Sequence, residues 1–267
     1  MFPLKDNIPK DSFALVTVVL IAINVIAYLL AIRHGGSLVS GPAEATVDRF
    51  GAIPYALTHP SAHCHLLTAQ TAEGERAAIT CAPRTPTGAE LEGIKVSSLP
   101  PPWVTVFTSM FMHANLLHIG GNMLFLAIFG PTIEDSMGRV RFLAFYLIGG
   151  LLALAAQTAF SADSTAPTLG ASGAIAAVMG GYIVLYPRAR ILTLVVLIFF
   201  VTLVELPAVA LLGFWFAWQL VEAEVRGAGS GGGVANFAHI GGFVFGLAAI
   251  HAFARHRRSV PPRYPVY

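Results

Sequence analysis

Residues 13–32 read Phe-Ala-Leu-Val-Thr-Val-Val-Leu-Ile-Ala-Ile-Asn-Val-Ile-Ala-Tyr-Leu-Leu-Ala-Ile, a run without a single charge. An α-helix rises 1.5 Å per residue and a bilayer's hydrocarbon core is about 30 Å thick, so about twenty such residues cross it. The run is longer than a signal-peptide core, and no small-residue cleavage site follows it; the expectation is a retained membrane helix.

Outward from this run, apolar segments recur at 115–129, 142–160, 172–186, 206–221 and 237–253. The whole chain is 55% hydrophobic and 11% charged, where a soluble domain carries roughly a quarter charged residues. The expected fold class is an all-α polytopic membrane protein with six spans and a long outer loop between the first two. A seventh apolar stretch, 191–204, has Arg188 and Arg190 before it and Glu205 and Pro207 at its end, and reads as a connector at the cytoplasmic face, either outside the membrane or partly embedded in it. With the N-terminus cytoplasmic, six spans put Lys5, Lys10, Arg139, Arg141, Arg188, Arg190 and the arginines of the C-terminal tail on the cytoplasmic side, as the positive-inside rule requires. A net charge of +2 without a basic stripe offers nothing to nucleic acid.

Four regions follow: an N-terminus with the first span (1–32), an extracytoplasmic insertion (33–102), a core of five spans (103–254) and a basic cytoplasmic tail (255–267). Gly227 to Gly233 reads as a flexible linker before the last span. The insertion holds both cysteines, Cys64 and Cys81, which in an oxidising compartment suggests a disulfide. A metal site is the rival reading, because His59, His63 and His65 surround Cys64, but the spacing matches none of the usual zinc patterns.

Polar groups at membrane depth are uncommon and face the bundle interior or a cavity, which singles out Ser172 in Gly170-Ala171-Ser172-Gly173 and His239 in Ala238-His239-Ile240-Gly241-Gly242. The second span opens with His113, His118 and Asn122. On a helix the last two lie four apart on one face, two donors suited to an oxyanion, while His113 shapes the loop before them. Small faces, Ser172, Ala176 and Gly180 on one helix and Gly242 and Gly246 after His239 on another, allow close approach. Each signal alone also fits helix packing, and His251 and His256 read as interfacial. The conjunction of nucleophile, base and donors toward one outer face is what packing does not require. No His-Glu-x-x-His motif occurs, the aspartates fall outside or at the ends of the spans, and no cysteine lies in one. A transporter is disfavoured by the lack of a repeat or paired broken helices.

Over 103–254 these residues resemble the rhomboid family of intramembrane serine proteases, on His113, His118 and Asn122, on Gly170 to Gly173, and on Ala238-His239 with Gly242 and Gly246. The stretch Glu134 to Phe142 is similar to the family's turn after the second span. Two positions depart: Trp103 is followed by Val104 where the family often has Arg, and Ala176 stands where some bacterial members carry an aromatic that stacks on the histidine. The resemblance implies a bacterial-type protease of the cell membrane with a Ser172–His239 dyad, cutting single-span membrane proteins near the outer surface. It implies no cofactor and no metal, and it sets no oligomeric state. The alternative is an inactive relative that binds membrane helices without cutting them.

Overall fold

A computed structural model describes residues 2–33, 35–71, 74–82, 94–197, 200–226 and 235–255. In chain order these form β1 (Phe2–Asp6), α1 (Leu15–Ile32), β2 (Gly36–Ser37), β3 (Gly41–Pro42), α2 (Glu44–Phe50) and α3 (Pro54–Thr58). β4 (His63–Thr71), β5 (Gly74–Ala82), β6 (Ile94–Ser98) and α4 (Pro102–Thr108) follow. The core then runs through α5 (Leu116–Met137), α6 (Arg139–Phe160), α7 (Ser172–Leu185), β7 (Arg190–Leu197), β8 (Phe200–Pro207), α8 (Ala208–Arg226) and α9 (Asn236–Phe253). The expected Gly227 to Gly233 linker and the tail after Arg255 lie outside the described residues.

Among the described residues five helices are long and apolar enough to cross a membrane: α1, α5, α6, α9 and, over 208–225, α8. The expectation of six spans is corrected here, because α7 has only 14 residues. At 1.5 Å per residue it rises about 21 Å, short of a hydrocarbon core of about 30 Å. Its ends explain its length. Gly170, at φ +116°, turns the chain sharply just before the helix, and Pro187 disfavours helical backbone at Tyr186. α7 is nonetheless the centre of the bundle: its residues 173–182 are all buried.

The chain is also not helical throughout. The 191–204 stretch, expected as a connector, is the hairpin β7–β8, with β1 added in the order β1-β7-β8. Hydrophobic periodicity alone does not separate a short apolar run of this kind from a buried helix segment; its β-branched content favours strands. The insertion carries a second sheet, ordered β5-β4-β6. Cys64 faces Cys81 across β4 and β5, and the two are bonded with their Cα atoms 4.0 Å apart.

The face bearing the N-terminus is sealed by carboxylates. Residue Ala14 gives α1 no side-chain cap, and Glu134, at the far end of α5, supplies one. Its two oxygens accept from Val16 N (2.9 Å), Thr17 N (2.8 Å) and Thr17 Oγ1 (2.8 Å), satisfying donors a helix start leaves open. Asp135 accepts from Ser12 N and Oγ. Buried Asp6 accepts from Lys10 Nζ, Thr132 Oγ1 and Tyr182 Oη. Arg255 N donates to Ser136 O, so both described ends of the chain lie on this face.

Candidate active site

The opposite face is built around the start of α7. The loop before it, 161–170, is held by the insertion: Ala52 and Thr168 exchange both backbone bonds, Tyr55 N donates to Ser164 O, and Thr58 Oγ1 donates to Ala162 O. Gly170 N donates to Ser109 O. At Gly170 the positive φ alone disfavours a side chain, and a Cβ there would stand 2.8 Å from His118 Nε2 and 3.6 Å from Ser172 Oγ. The backbone thus passes between two of the singled-out residues where no side chain fits.

α7 and α9 meet backbone to backbone. A Cβ added at Gly242 would strike Gly173 O, one at Gly246 would strike Ala177 O, and one at Gly180 would strike Phe243 O. Gly173 faces Ala153 of α6 at the same crossing. Such small-residue contacts fix the relative height of two helices. Here they bring His239 Nε2 to 2.7 Å from Ser172 Oγ. His239 is buried and Ser172 half-buried.

The donors stand across the cavity. Asn115 caps α5 by accepting from His118 N at 2.9 Å, and the Ala114 N–H donates to His118 Nδ1 at 3.4 Å. With Nδ1 accepting, Nε2 carries the proton and points toward Gly170 and Ser172. Asn122 Nδ2, one turn on, is buried without a hydrogen-bond partner among the described residues. His113 does not line the cavity; it is fully buried, its ring edge-on to His118 with centroids 5.1 Å apart. Cys64 and Cys81 do not line the cavity; they lie in the insertion sheet.

The cavity measures about 800 Å³, with Ser172, His239, His118 and Asn122 on its walls beside apolar Leu117, Phe125, Ile175, Met179 and Trp215. Two neighbours of His239 were not singled out from the sequence. Trp215 packs against the imidazole with centroids 5.7 Å apart, covering it from α8 where Ala176 offers no ring. Gln219, one turn further along α8, places Oε1 2.7 Å from His239 Nδ1. A signal existed: Gln219 is an uncharged polar residue in an apolar span, the same cost argument that singles out His239. Gln157 of α6 accepts from Ala238 N at 3.2 Å and steadies the start of α9.

A family profile described as Rhomboid domain matches residues 100–256. Among curated proteins, Rhomboid protein 1, mitochondrial, of Saccharomyces cerevisiae is 29% identical over 150 residues, 54% of this chain and 40% of the relative. Presenilin-associated rhomboid-like protein A, mitochondrial, of Danio rerio is 30% identical over 145 residues, 52% of this chain and 34% of the relative. RHOMBOID-like protein 12, mitochondrial, of Arabidopsis thaliana is 35% identical over 171 residues, 58% of this chain and 47% of the relative. The chain spans less than half the length of each. These names correct two expectations, that of a bacterial-type member and that of a bacterial cell membrane, since the relatives are mitochondrial proteins of eukaryotes. The reason is physical: the matched residues serve packing and a polar site, and positive charge orients a chain across a bilayer without marking which bilayer it is. A multi-pass integral membrane protein stands.

Proposed function

The chain belongs to the rhomboid family, and from that premise we propose that it is an intramembrane serine endopeptidase with a Ser172–His239 dyad. One observation carries the reading, the 2.7 Å contact between Ser172 Oγ and His239 Nε2 at the wall of a cavity. Ser172 Oγ attacks the scissile carbonyl while its proton passes to Nε2. The tetrahedral oxyanion is met by His118 Nε2–H, by Asn122 Nδ2 and by the Ser172 backbone N–H, one of the donors that a helix start leaves open. The C–N bond then breaks, the amine leaving with the proton from His239. Water enters the cavity, gives its proton to the same nitrogen and releases the acyl group. No step of this sequence calls for a cofactor.

The substrates are single-span membrane proteins. Apolar walls suit a membrane segment, and the polar floor accepts it once its backbone unwinds, because a helical carbonyl is already hydrogen-bonded and shielded. The test is reconstitution in liposomes with single-span membrane proteins, comparing wild type with Ser172→Ala. Cleavage by the wild type alone is the expected result. Equal processing by both would remove the dyad, and binding of a membrane helix without any cleavage would leave a helix-binding protein instead.

A further inference from the structure

The third group around the dyad is an amide on a different helix. His239 Nδ1 lies 2.7 Å from Gln219 Oε1, and Gln219 is only 5% exposed. An imidazole that takes a proton at Nε2 must carry its own proton at Nδ1, and that proton needs an acceptor. An amide oxygen is such an acceptor and, unlike a carboxylate, brings no charge to membrane depth. Trp215 sits four residues earlier on the same face of α8, its ring centroid 5.7 Å from that of His239. The imidazole is therefore held at its Nδ1 edge by Gln219 and flanked by the tilted ring of Trp215, with Nε2 left to Ser172.

We propose that Gln219 is a positioning residue whose carbonyl holds His239 in the Nδ1–H tautomer, so that Nε2 is the base facing Ser172. This rests on the proteolytic reading above for its consequence, but the contact and the tautomer stand independently of cleavage. Plain interhelical glue between α8 and α9 is the rival account. Glue is satisfied with the amide in either orientation, whereas positioning requires the oxygen, not the nitrogen, toward Nδ1. The titratable side chain facing His239 from the opposite wall is His118 of α5, so a change at position 219 is read against a constant neighbour.

The experiment labels histidine with ¹⁵N in the full chain in detergent micelles and reads the His239 ring nitrogens, assigned by loss of signal in His239→Ala. Wild type and Ser172→Ala should both show the Nδ1–H tautomer, and Gln219→Met, close in volume but without an acceptor, should lose its predominance. Kinetically, Gln219→Met should lower kcat about tenfold or more with KM within about twofold, since the wrong tautomer offers no base. Gln219→Glu should restore the tautomer and move the acid limb of kcat/KM upward by about one pH unit or more, because a carboxylate beside the imidazolium favours the charged form. An Nε2–H tautomer in the wild type, a Gln219→Met spectrum identical to wild type, or an acid limb unmoved by Gln219→Glu would overturn the assignment. A wild type with the Nδ1–H tautomer and no cleavage would refute proteolysis while supporting the tautomer assignment, so the two failures are separable.

Discussion

The two faces of this bundle treat buried polar groups in opposite ways. At the N-terminal face Asp6, Glu134 and Asp135 each hold two or three donors, and Glu134 caps a helix that has no cap of its own. At the other face Asn122 Nδ2, on the cavity wall, is buried without a partner among the described residues. An unmet buried donor costs about 1–3 kcal/mol. In the proposed mechanism that open donor is the one that meets the oxyanion. Buried Asn24 and Tyr146 belong to neither face; they lie within α1 and α6.

Substitutions at the two faces should therefore separate activity from stability. The largest effect belongs to the dyad: Ser172→Ala, His239→Ala and the double variant should fall to one common floor of turnover, because residues acting as a unit are non-additive. The thermal unfolding of Ser172→Ala should stay near wild type, and losses that multiply in the double variant would split the dyad into two independent sites. At the sealed face, Glu134→Ala strips the cap from α1 and leaves its buried donors open, and should lower unfolding stability by about 1–3 kcal/mol. Turnover per folded molecule should hold; a selective loss of turnover would tie the two faces together.

The insertion bridges these regimes. Its α3 segment supports the loop before Ser172, while the disulfide-bonded sheet docks on α2, where Ala77 N donates to Glu44 Oε2. A double Cys64→Ser, Cys81→Ser variant gives up a crosslink across 17 residues, about 3 kcal/mol in the chain-entropy model. Differential hydrogen exchange should show the sheet loosened and α3 protected, with cleavage retained. Asn122→Ala should lower kcat about 10²-fold with little change in KM or in melting temperature. A collapse of substrate affinity at normal kcat would make Asn122 a docking residue and weaken the contrast between the faces.

The smallest effect is a pH dependence outside the membrane. Burial, with Glu44 one turn away, pushes the Asp48 carboxyl up to about 6. A folded-state value above the unfolded one means the native state holds the proton more tightly. Its contribution to stability is then full below about pH 4 and lost as pH rises through about 6. The melting temperature of the wild type should fall across that window, and Asp48→Asn should flatten the slope.

Much of this was legible. The long uncharged runs of α1, α6 and α9 set the membrane class, and the cost of burying Ser172, His239, His118 and Asn122 marks four residues that line one cavity. The rest depended on long-range contacts. Ala14 carries no helix-start signal, because its cap arrives from Glu134, 118 positions from Val16. The length of α7 turns on the φ of Gly170, which a run of Gly and Ala does not announce. β7 and β8 are as apolar as a helix segment; their β-branched residues favour strands, and the pairing of β7 with both β1 and β8 completes the sheet. Gln219 carries the same signal as His239 but belongs to no recognisable motif.

The central claim is that Ser172 is a nucleophile activated by His239, and covalent labelling tests it most directly. A serine-directed phosphonate applied to the full chain in detergent, followed by peptide mass spectrometry, should modify Ser172 in the wild type and not in His239→Ala. Labelling of Ser172 at an equal rate in both proteins, or modification of a different serine in the wild type, would contradict it.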